Sequence, residues 1–532
     1  MISETDPQAP RHEILDRLQP PRSLGALVGL LVGLLAVATS SVFASLGDAV
    51  TPVRSVGNSV IDRAPLWLKD LAIALFGTAN KTALQIGIVF VVVIVALILG
   101  ASSISRPTPL LSGIALASFL AALSALEGPS IQVMAIVAPL LGGLLGATTA
   151  ALLLRTLGSQ WPKWWWQRNT PGPSQVPLGW DRRRFMRTAG VVGGVTVIAS
   201  SAAIDTDRRR TRQIVAQIPD GLPPVNAAER ADPAPPVLVD EPEYITPTDS
   251  FYRIDTALSF PSVDLDTWSV RIFGLVDREI ELSYDDLLRR PQIERTITIC
   301  CVSNEVGGPY IGNAVWQGVA LADVLREAGV QDSAEQIFSR SIDGWTCGFP
   351  VDAALDGRDA LIAIGMNGAP LPIRHGFPAR LIVPGLYGYV SATKWLSDIE
   401  LNRWDDERGF WIPRGWARDA PIKTHSRIDV PRSRQSVSAG MVVLAGVAWA
   451  PGTGVAKVEV RVDNGEWVTA QLSDDVTDDA WRIWHLNWEA ETGTYTVQVR
   501  ATDKSGYTQT EVVNPVAPDG ATGWHTRRIK VT

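Results

Sequence analysis

Cysteine and histidine are scarce in this chain, with three Cys and five His in 532 residues. So few cysteines exclude a disulfide framework. No Cys-x-x-Cys-His run occurs, so a c-type haem has no attachment site. His12, His375, His425, His485 and His525 all lie outside the long apolar stretches, which argues against a bis-His haem in a membrane. The expectation is a chain without haem. Basic charge is not in excess either; the net charge is -7, and no nucleic-acid partner is expected. What the chain does have is uneven hydrophobicity. Apolar residues concentrate before about residue 205, and the rest reads as soluble protein.

Four stretches lack charge over about the 20 residues a bilayer requires: Ser23–Leu46, Thr82–Ser105, Pro107–Leu126 and Gly128–Leu154. Ala64–Asn80 is apolar but carries Lys69 and Asp70; it reads as an interfacial or re-entrant piece, or else as another span. Arg11, Arg17 and Arg22, then Arg106, then Arg155, Lys163 and Arg168 fall on one side of a four-span arrangement, the cytoplasm. Arg54, Arg63, Lys69 and Lys81 depart partly from that pattern. Trp161, Trp164, Trp165 and Trp166 fit an aromatic belt. Trp180-Asp181-Arg182-Arg183-Arg184-Phe185-Met186-Arg187 precedes the small, apolar stretch Thr188–Ile204. This resembles a twin-arginine signal, or it is a fifth helix with ordinary basic flanking. Both readings put the remainder outside the cytoplasm, attached to a multi-pass cell-membrane anchor. Residues 206–242, with Pro233-Ala234-Pro235-Pro236, have linker composition.

The expected organisation is therefore a membrane region with about four helices (1–180), the twin-arginine-like segment and fifth helix (181–205), the linker (206–242), an α+β domain (243–422) and a β domain (423–532). In the α+β part, Val270–Val276 alternates like a strand, and Ser283 caps an acidic first turn. Leu321–Ala328 reads as a short amphipathic helix, and Arg380–Val383 as a buried strand. No regular strand–helix repeat appears, so a doubly wound sheet is excluded. From about Ile428, strand-like runs at Met441–Trp449, Val455–Val462, Trp467–Leu472, Trp481–Trp488 and Tyr495–Thr502 predict an immunoglobulin-like sandwich without a Cys pair.

The chemistry gathers around Thr296-Ile297-Thr298-Ile299-Cys300-Cys301, a β-branched run that opens into Val302-Ser303-Asn304-Glu305-Val306-Gly307-Gly308. A thiol at a strand-to-loop junction suits a metal ligand or a nucleophile. Other elements accompany it: Phe251-Tyr252-Arg253, Asp343-Gly344-Trp345, Arg374-His375-Gly376-Phe377-Pro378-Ala379-Arg380, Ser391-Ala392-Thr393-Lys394-Trp395 and Gly523-Trp524-His525. In order and spacing, these resemble the sulfite oxidase family of molybdopterin-dependent oxidoreductases, over roughly Glu243–Thr532.

The resemblance implies molybdenum held by a single molybdopterin, with Cys301 as the metal's protein ligand because it begins the Cys-x-x-Asn pattern ending at Asn304. Cys300 then packs in the strand, although the reverse assignment stays open. It implies that His375, Arg380 and Lys394, with Ser391 and Thr393 beside them, hold the pterin and its phosphate. Tyr252, Arg253 and Ile254 meet the pterin, and Asp343 makes a further contact. Beside Cys301, Arg253 and Phe410 are the candidate catalytic residues. Two departures stand out. Ile254 occupies the place of the family's active-site Arg, with Arg253 shifted by one, and Phe410 (or Trp411) replaces a Tyr. An anionic substrate wants cations and donors, so sulfite itself is in doubt, unless Arg408, Arg414 or Arg418 compensates. The implied reaction is oxygen-atom transfer on a small substrate, a sulfur compound among the candidates. Electrons pass to or from a separate cytochrome or quinone-linked protein, and the β domain suits a homodimer. The alternatives are a sulfoxide or N-oxide reductase, and a non-catalytic binding protein on the same fold.

Overall fold

The computed structural model describes residues 20–47, 49–65, 80–127, 132–159, 181–235, 242–258, 260–261 and 263–532, with positions 68, 71–72 and 75–76. Arg11, Arg17, His12, Lys69, Asp70, Lys163, Arg168, Trp180 and the cluster Trp161–Trp166 lie outside the described residues. The chain divides into two compact units, Met1–Gln213 with Thr256–Ser259, and Ile214–Asp255 with Phe260–Thr532.

The described helices that begin in the first unit are α1 (Arg22–Leu46), α2 (Pro52–Arg63), α3 (Asn80–Ser102), α4 (Thr108–Ala125), α5 (Val133–Thr156) and α6 (Arg182–Gln217), the last four residues of α6 being counted with the second unit. All but α2 are long and apolar enough to cross a membrane, by length and composition. They pack through small residues. A Cβ on Gly29 of α1 would collide with the Ala96 carbonyl of α3, and one on Gly100 would strike Gly25 and Gly29. Further along the same face of α1, Ser40 meets Gly142 of α5. Backbone approach of this kind is how apolar helices associate where no hydrophobic driving force separates them from their solvent. Large apolar side chains face outward instead, among them Ile86, Phe90 and Ile98 of α3 and Leu116 and Phe119 of α4. The short α2 is polar: Arg63 and Ser59 bind Glu127, and Arg54 forms a bidentate pair with Asp207 at 3.1 Å.

Helix α6 runs 36 residues, well past the expected end near Ile204. Residues 205–217 contain neither Pro nor Gly, and Asp205 pairs with Arg209 one turn on at 2.7 Å. The first helix breaker is Pro219. At the other end Asp181 accepts the Arg184 N–H at 2.9 Å, a side-chain cap.

The second unit begins with β1 (Ser269–Gly274), β2 (Ile280–Ser283), α7 (Tyr284–Arg289), β3 (Ile293–Cys300), β4 (Ile311–Ala320), α8 (Leu321–Ala328), β5 (Gln336–Ser341), β6 (Thr346–Pro350), α9 (Asp352–Leu355), β7 (Leu361–Met366), β8 (Ala369–Pro370), β9 (Arg380–Ile382), α10 (Gly388–Ser391) and β10 (Leu396–Asn402). Two sheets result, in the orders β2-β1-β10-β5-β6 and β3-β4-β7-β8, with β9 on β7. Only the β1–β10 pairing is parallel within them. Ser283 and Asp286 close a capping box on α7. Leu321, Val324, Leu325 and Ala328 bury one face of α8, and Gly329 ends it at φ 72.

The β domain holds β11 (His425–Val430), β12 (Ser436–Val437), β13 (Gly440–Trp449), β14 (Val455–Val462), β15 (Val468–Thr469), β16 (Gln471–Leu472), β17 (Arg482–Ala490), β18 (Gly493–Asp503) and β19 (His525–Val531). They form two sheets, β11-β13-β17-β16 and β12-β19-β18-β14-β15, around Ile428, Leu444, Val458, Trp484 and Val499. The expected Trp467–Leu472 run is two short strands. The domain also braces β3. Thr298 N–H donates to Asp479 O at 2.9 Å, and Trp481 N–H donates to Thr298 Oγ1 at 2.8 Å. The strand that delivers Cys301 is thus fixed from both sides.

Candidate cofactor and active site

β3 enters the core with Ile297, Thr298 and Ile299 buried, and Cys301 is the first residue beyond it. The Cys301 N–H donates to Tyr310 O at 2.9 Å, and Cys301 O accepts from Asn304 N–H at 3.0 Å. Asn304 Oδ1 then accepts from Tyr310 N–H at 2.8 Å, tying the neck of the loop. Asn304 shapes the turn that presents the thiol. Burial pushes the Cys301 thiol up, while hydrogen bonds from Ser303 and the charge of Lys394 pull it down. A bound cation reverses that balance, since a coordinating thiol is deprotonated outright. Cys300 is also buried, packed with Val302, Ile311 and Tyr387.

Gly376 makes the cationic part of the site possible. It sits at φ 115, and a Cβ there would lie 3.1 Å from Lys394 Cβ and 3.2 Å from Arg380 Cβ. Arg380 is 5% exposed, lies over the Trp316 ring at 5.0 Å, and donates from Nη1 to His375 O at 3.1 Å. Its buried Nε has no partner, and no described carboxylate pairs with it. Burial pulls its pKa down to about 10. A buried guanidinium in that condition is costly unless an anion meets it. Lys394 donates to Asp255 Oδ2 at 2.8 Å, with side chains only 11% and 6% exposed. Arg253 Nε approaches the same carboxylate at 3.5 Å. Lys394 and Arg253 thus share one described carboxylate, while Arg380 pairs with none.

His375 holds the segment that carries Tyr252. Its Nε2 lies 2.9 Å from Thr248 O, which assigns the proton to that nitrogen. Burial and the Arg380 charge push its pKa down to about 4. Below about pH 6.5 the unfolded chain takes up a proton that the folded ring refuses. Stability of this unit therefore falls from pH 6.5 towards pH 4, by on the order of 3 kcal/mol at this residue. Urea midpoints followed by tryptophan fluorescence across that range should show the loss, and His375→Gln should remove its share while buried His425 and His525, also held down, keep theirs.

Tyr252 stacks on Phe251 at 5.3 Å, and its hydroxyl feels Cys301, Cys300 and Arg380. The structure thus brings Tyr252, Cys301, His375, Arg380 and Lys394 into one neighbourhood. The other candidates have different engagements. Ser391 Oγ bonds back to Tyr387 O at 3.1 Å. Thr393 Oγ1 lies 2.7 Å from Ser339 Oγ and 3.1 Å from Cys347 Sγ, in a buried trio. Asp343 Oδ1 accepts from Trp345 N–H at 3.1 Å within its own turn. Phe410 donates its N–H to Thr346 O at 3.0 Å, with the Arg414 guanidinium 3.6 Å over its ring. No hydrogen bond, ion pair or ring contact joins Asp343 or Phe410 to Cys301 among the described residues. Arg253 and Ile254 are exposed, Ile254 at 43%. Asp255 and Trp316 were not singled out from sequence; an Asp directly after the Tyr-Arg-Ile run was the one signal available. No group of three or more His, Cys, Asp or Glu among the described residues could hold a metal alone. A single thiol within the field of Lys394, and a buried guanidinium sharing Tyr252 with it, fit a metal that brings its other ligands on an anionic organic cofactor.

Comparison with known proteins agrees with that fit. Residues 257–411 match the family model "Oxidoreductase molybdopterin binding domain", and 419–532 match "Mo-co oxidoreductase dimerisation domain". The mitochondrial sulfite oxidase of Rattus norvegicus is 31% identical over 336 residues, 54% of this chain and 60% of that enzyme. The chain therefore spans well under two thirds of that relative. The sulfite oxidase of Gallus gallus is 30% identical over 55% of this chain and 74% of its own length. An uncharacterized oxidoreductase, YuiH of Bacillus subtilis (strain 168), is 37% identical over 29% of this chain and 74% of its own. Among solved structures, the sulfane dehydrogenase SoxCD of Paracoccus pantotrophus is 24% identical at a TM-score of 0.48, covering 54% of this chain and 82% of that one. The buried thiol, the cationic cradle and these matches together make the chain a molybdopterin-binding oxidoreductase of the sulfite oxidase family.

Proposed function

We propose that this chain is a membrane-anchored oxidoreductase acting on a small, uncharged substrate, with its catalytic unit outside the cytoplasm. The observation that carries the reading is the buried Arg380 guanidinium, which pairs with no described carboxylate and acts on the same Tyr252 hydroxyl as the Cys301 thiol. Arg380 and Lys394 would meet the phosphate of a single molybdopterin, Tyr252 and the backbone of Ser391–Lys394 would border the pterin, and Cys301 would bind molybdenum. When bound, that group supplies two-electron oxygen-atom transfer. The chain's own residues hold it, exclude water and set which substrate arrives. Ile254 is exposed where the family places an Arg, and Arg253 is drawn to Asp255 and lies over Phe260 at 5.3 Å. Phe410 offers no hydroxyl. A pocket edged this way disfavours a small oxyanion. Both directions of transfer remain within the proposal, and reduction of a sulfoxide or N-oxide is the second reading.

The five apolar helices are proposed to span the membrane, with Arg182–Arg184 as the basic flank or twin-arginine signal. A separate cytochrome or quinone-linked protein exchanges the electrons, and residues 423–532 form a homodimer. The test is a paired assay of loaded enzyme, oxidising sulfite or dimethyl sulfide with ferricyanide, and reducing dimethyl sulfoxide or trimethylamine N-oxide with a reduced viologen. Neutral substrates should exceed sulfite in kcat/KM by at least about tenfold, the worth of one lost charge-assisted contact. Sulfite turned over best would defeat the neutral-substrate reading.

A further inference from the structure

An open cavity of about 700 Å³ lies in the second unit and shares no lining residue with the cationic cradle. Its charged lining is Arg434, Arg527, Arg528 and Lys530, with His525 and no carboxylate. Strand β19 supplies most of it. On the β12 side only Lys530 and Val531 have strand partners, so the edge from His525 to Ile529 faces the turn at Ser433–Arg434. The far wall is Gly307, set against the His525 ring so closely that any Cβ would collide with it. Arg527 is pinned by its bond to Pro431 O at 2.7 Å, and His525 Nδ1 accepts from Ile428 N–H at 2.8 Å.

Elsewhere in this unit surface arginines find carboxylates: Arg278 with Glu327, Arg340 with Glu400, Arg500 with Glu459. Arg434, Arg528 and Lys530 form no ion pair with any described carboxylate. Charged residues on an edge strand can simply discourage strand addition. That role calls for neither Arg434 from a separate turn nor a cavity between them. The positive field is also felt inside it, where burial and the charges of Arg527 and Arg427 hold His525 down to about 4.

We propose that this cavity binds a small polyanion carrying two or more phosphate- or sulfate-type charges. Planar guanidinium groups from a strand and a turn can grip such oxygens from two directions, with Lys530 adding a point charge. The same charges could be carried by a soluble molecule or by a lipid headgroup. The inference does not depend on the proposed reaction, because binding is read without turnover.

The test uses the full chain in detergent, loaded with cofactor so that Arg380 and Lys394 are engaged. Calorimetry at fixed ionic strength would titrate inorganic pyrophosphate, and separately dihexanoyl phosphatidic acid below its micelle concentration. One saturable site per chain is expected. The double variant Arg434→Gln with Arg528→Gln should weaken it at least about tenfold, and Arg278→Gln should leave it unchanged. Tighter pyrophosphate assigns a soluble ligand; tighter phosphatidic acid assigns a headgroup. No saturable heat from either probe, or equal weakening by Arg278→Gln, overturns the proposal.

Discussion

Cys301→Ser should leave a folded chain that keeps its pterin-held molybdenum with an altered absorption spectrum and has lost more than about 100-fold of its activity. Removing an outer partner of a metal ligand already costs about 10- to 100-fold; removing the ligand itself exceeds that. The fold should survive, because the loop is tied by backbone bonds and by Asn304 Oδ1 rather than by the thiol. Cys300→Ser is the necessary comparison. Its side chain packs among Val302, Ile311 and Tyr387, so that variant should lose about 1–3 kcal/mol of stability by burying a hydroxyl and keep its metal. Metal analysis with absorption spectra, from a host proven to load a control enzyme, gives the answer. An altered spectrum in Cys300→Ser with an unaltered one in Cys301→Ser would reverse the assignment. Unchanged spectra in both would remove the cysteine ligand altogether.

Arg380→Met should separate stability from cofactor binding. An ion pair at about 4 Å is worth about 4 kcal/mol in a partly polar interior, so losing the guanidinium should weaken retention of an anionic cofactor by about 10³-fold. The cofactor-free chain should be no less stable, and could gain, because a buried cation without a carboxylate has been removed. Lys394→Met should behave differently. It leaves Asp255, whose side chain is 6% exposed, without its 2.8 Å partner, and so costs stability as well as cofactor. Pterin fluorescence after acid release reports content, and denaturation of cofactor-free protein reports stability. Equal destabilisation by both substitutions, with cofactor retained, would make Arg380 a packing residue.

Local features were legible where one short stretch contains both signal and partner. Ser283 and Asp286 close their capping box within three residues, α8 has its expected bounds Leu321–Ala328, and β14 is Val455–Val462 as its alternation indicates. The length of α6 was misjudged because a polar composition was taken for a linker, although Asp205–Gln217 holds no helix breaker. The site was less legible. Its members could be grouped only through the family resemblance, since the Asp255–Lys394 pair joins residues 139 apart. Ser391 and Thr393 sit in a motif beside Lys394, yet a motif cannot say which way a hydroxyl turns. Here both turn inward, one to its own helix and one to Ser339 and Cys347.

That inward turn has a practical consequence. Cys347 is sealed behind Ser339 and Thr393, and Cys300 and Cys301 are buried as well, so none of the three thiols in the chain is exposed. A maleimide added to folded protein meets almost no background. Single cysteines placed at exposed sites, such as Glu127 beside α4 and Glu511 in the β domain, would then be the reactive groups. Labelling intact cells with an impermeant reagent would read the sidedness of each unit directly.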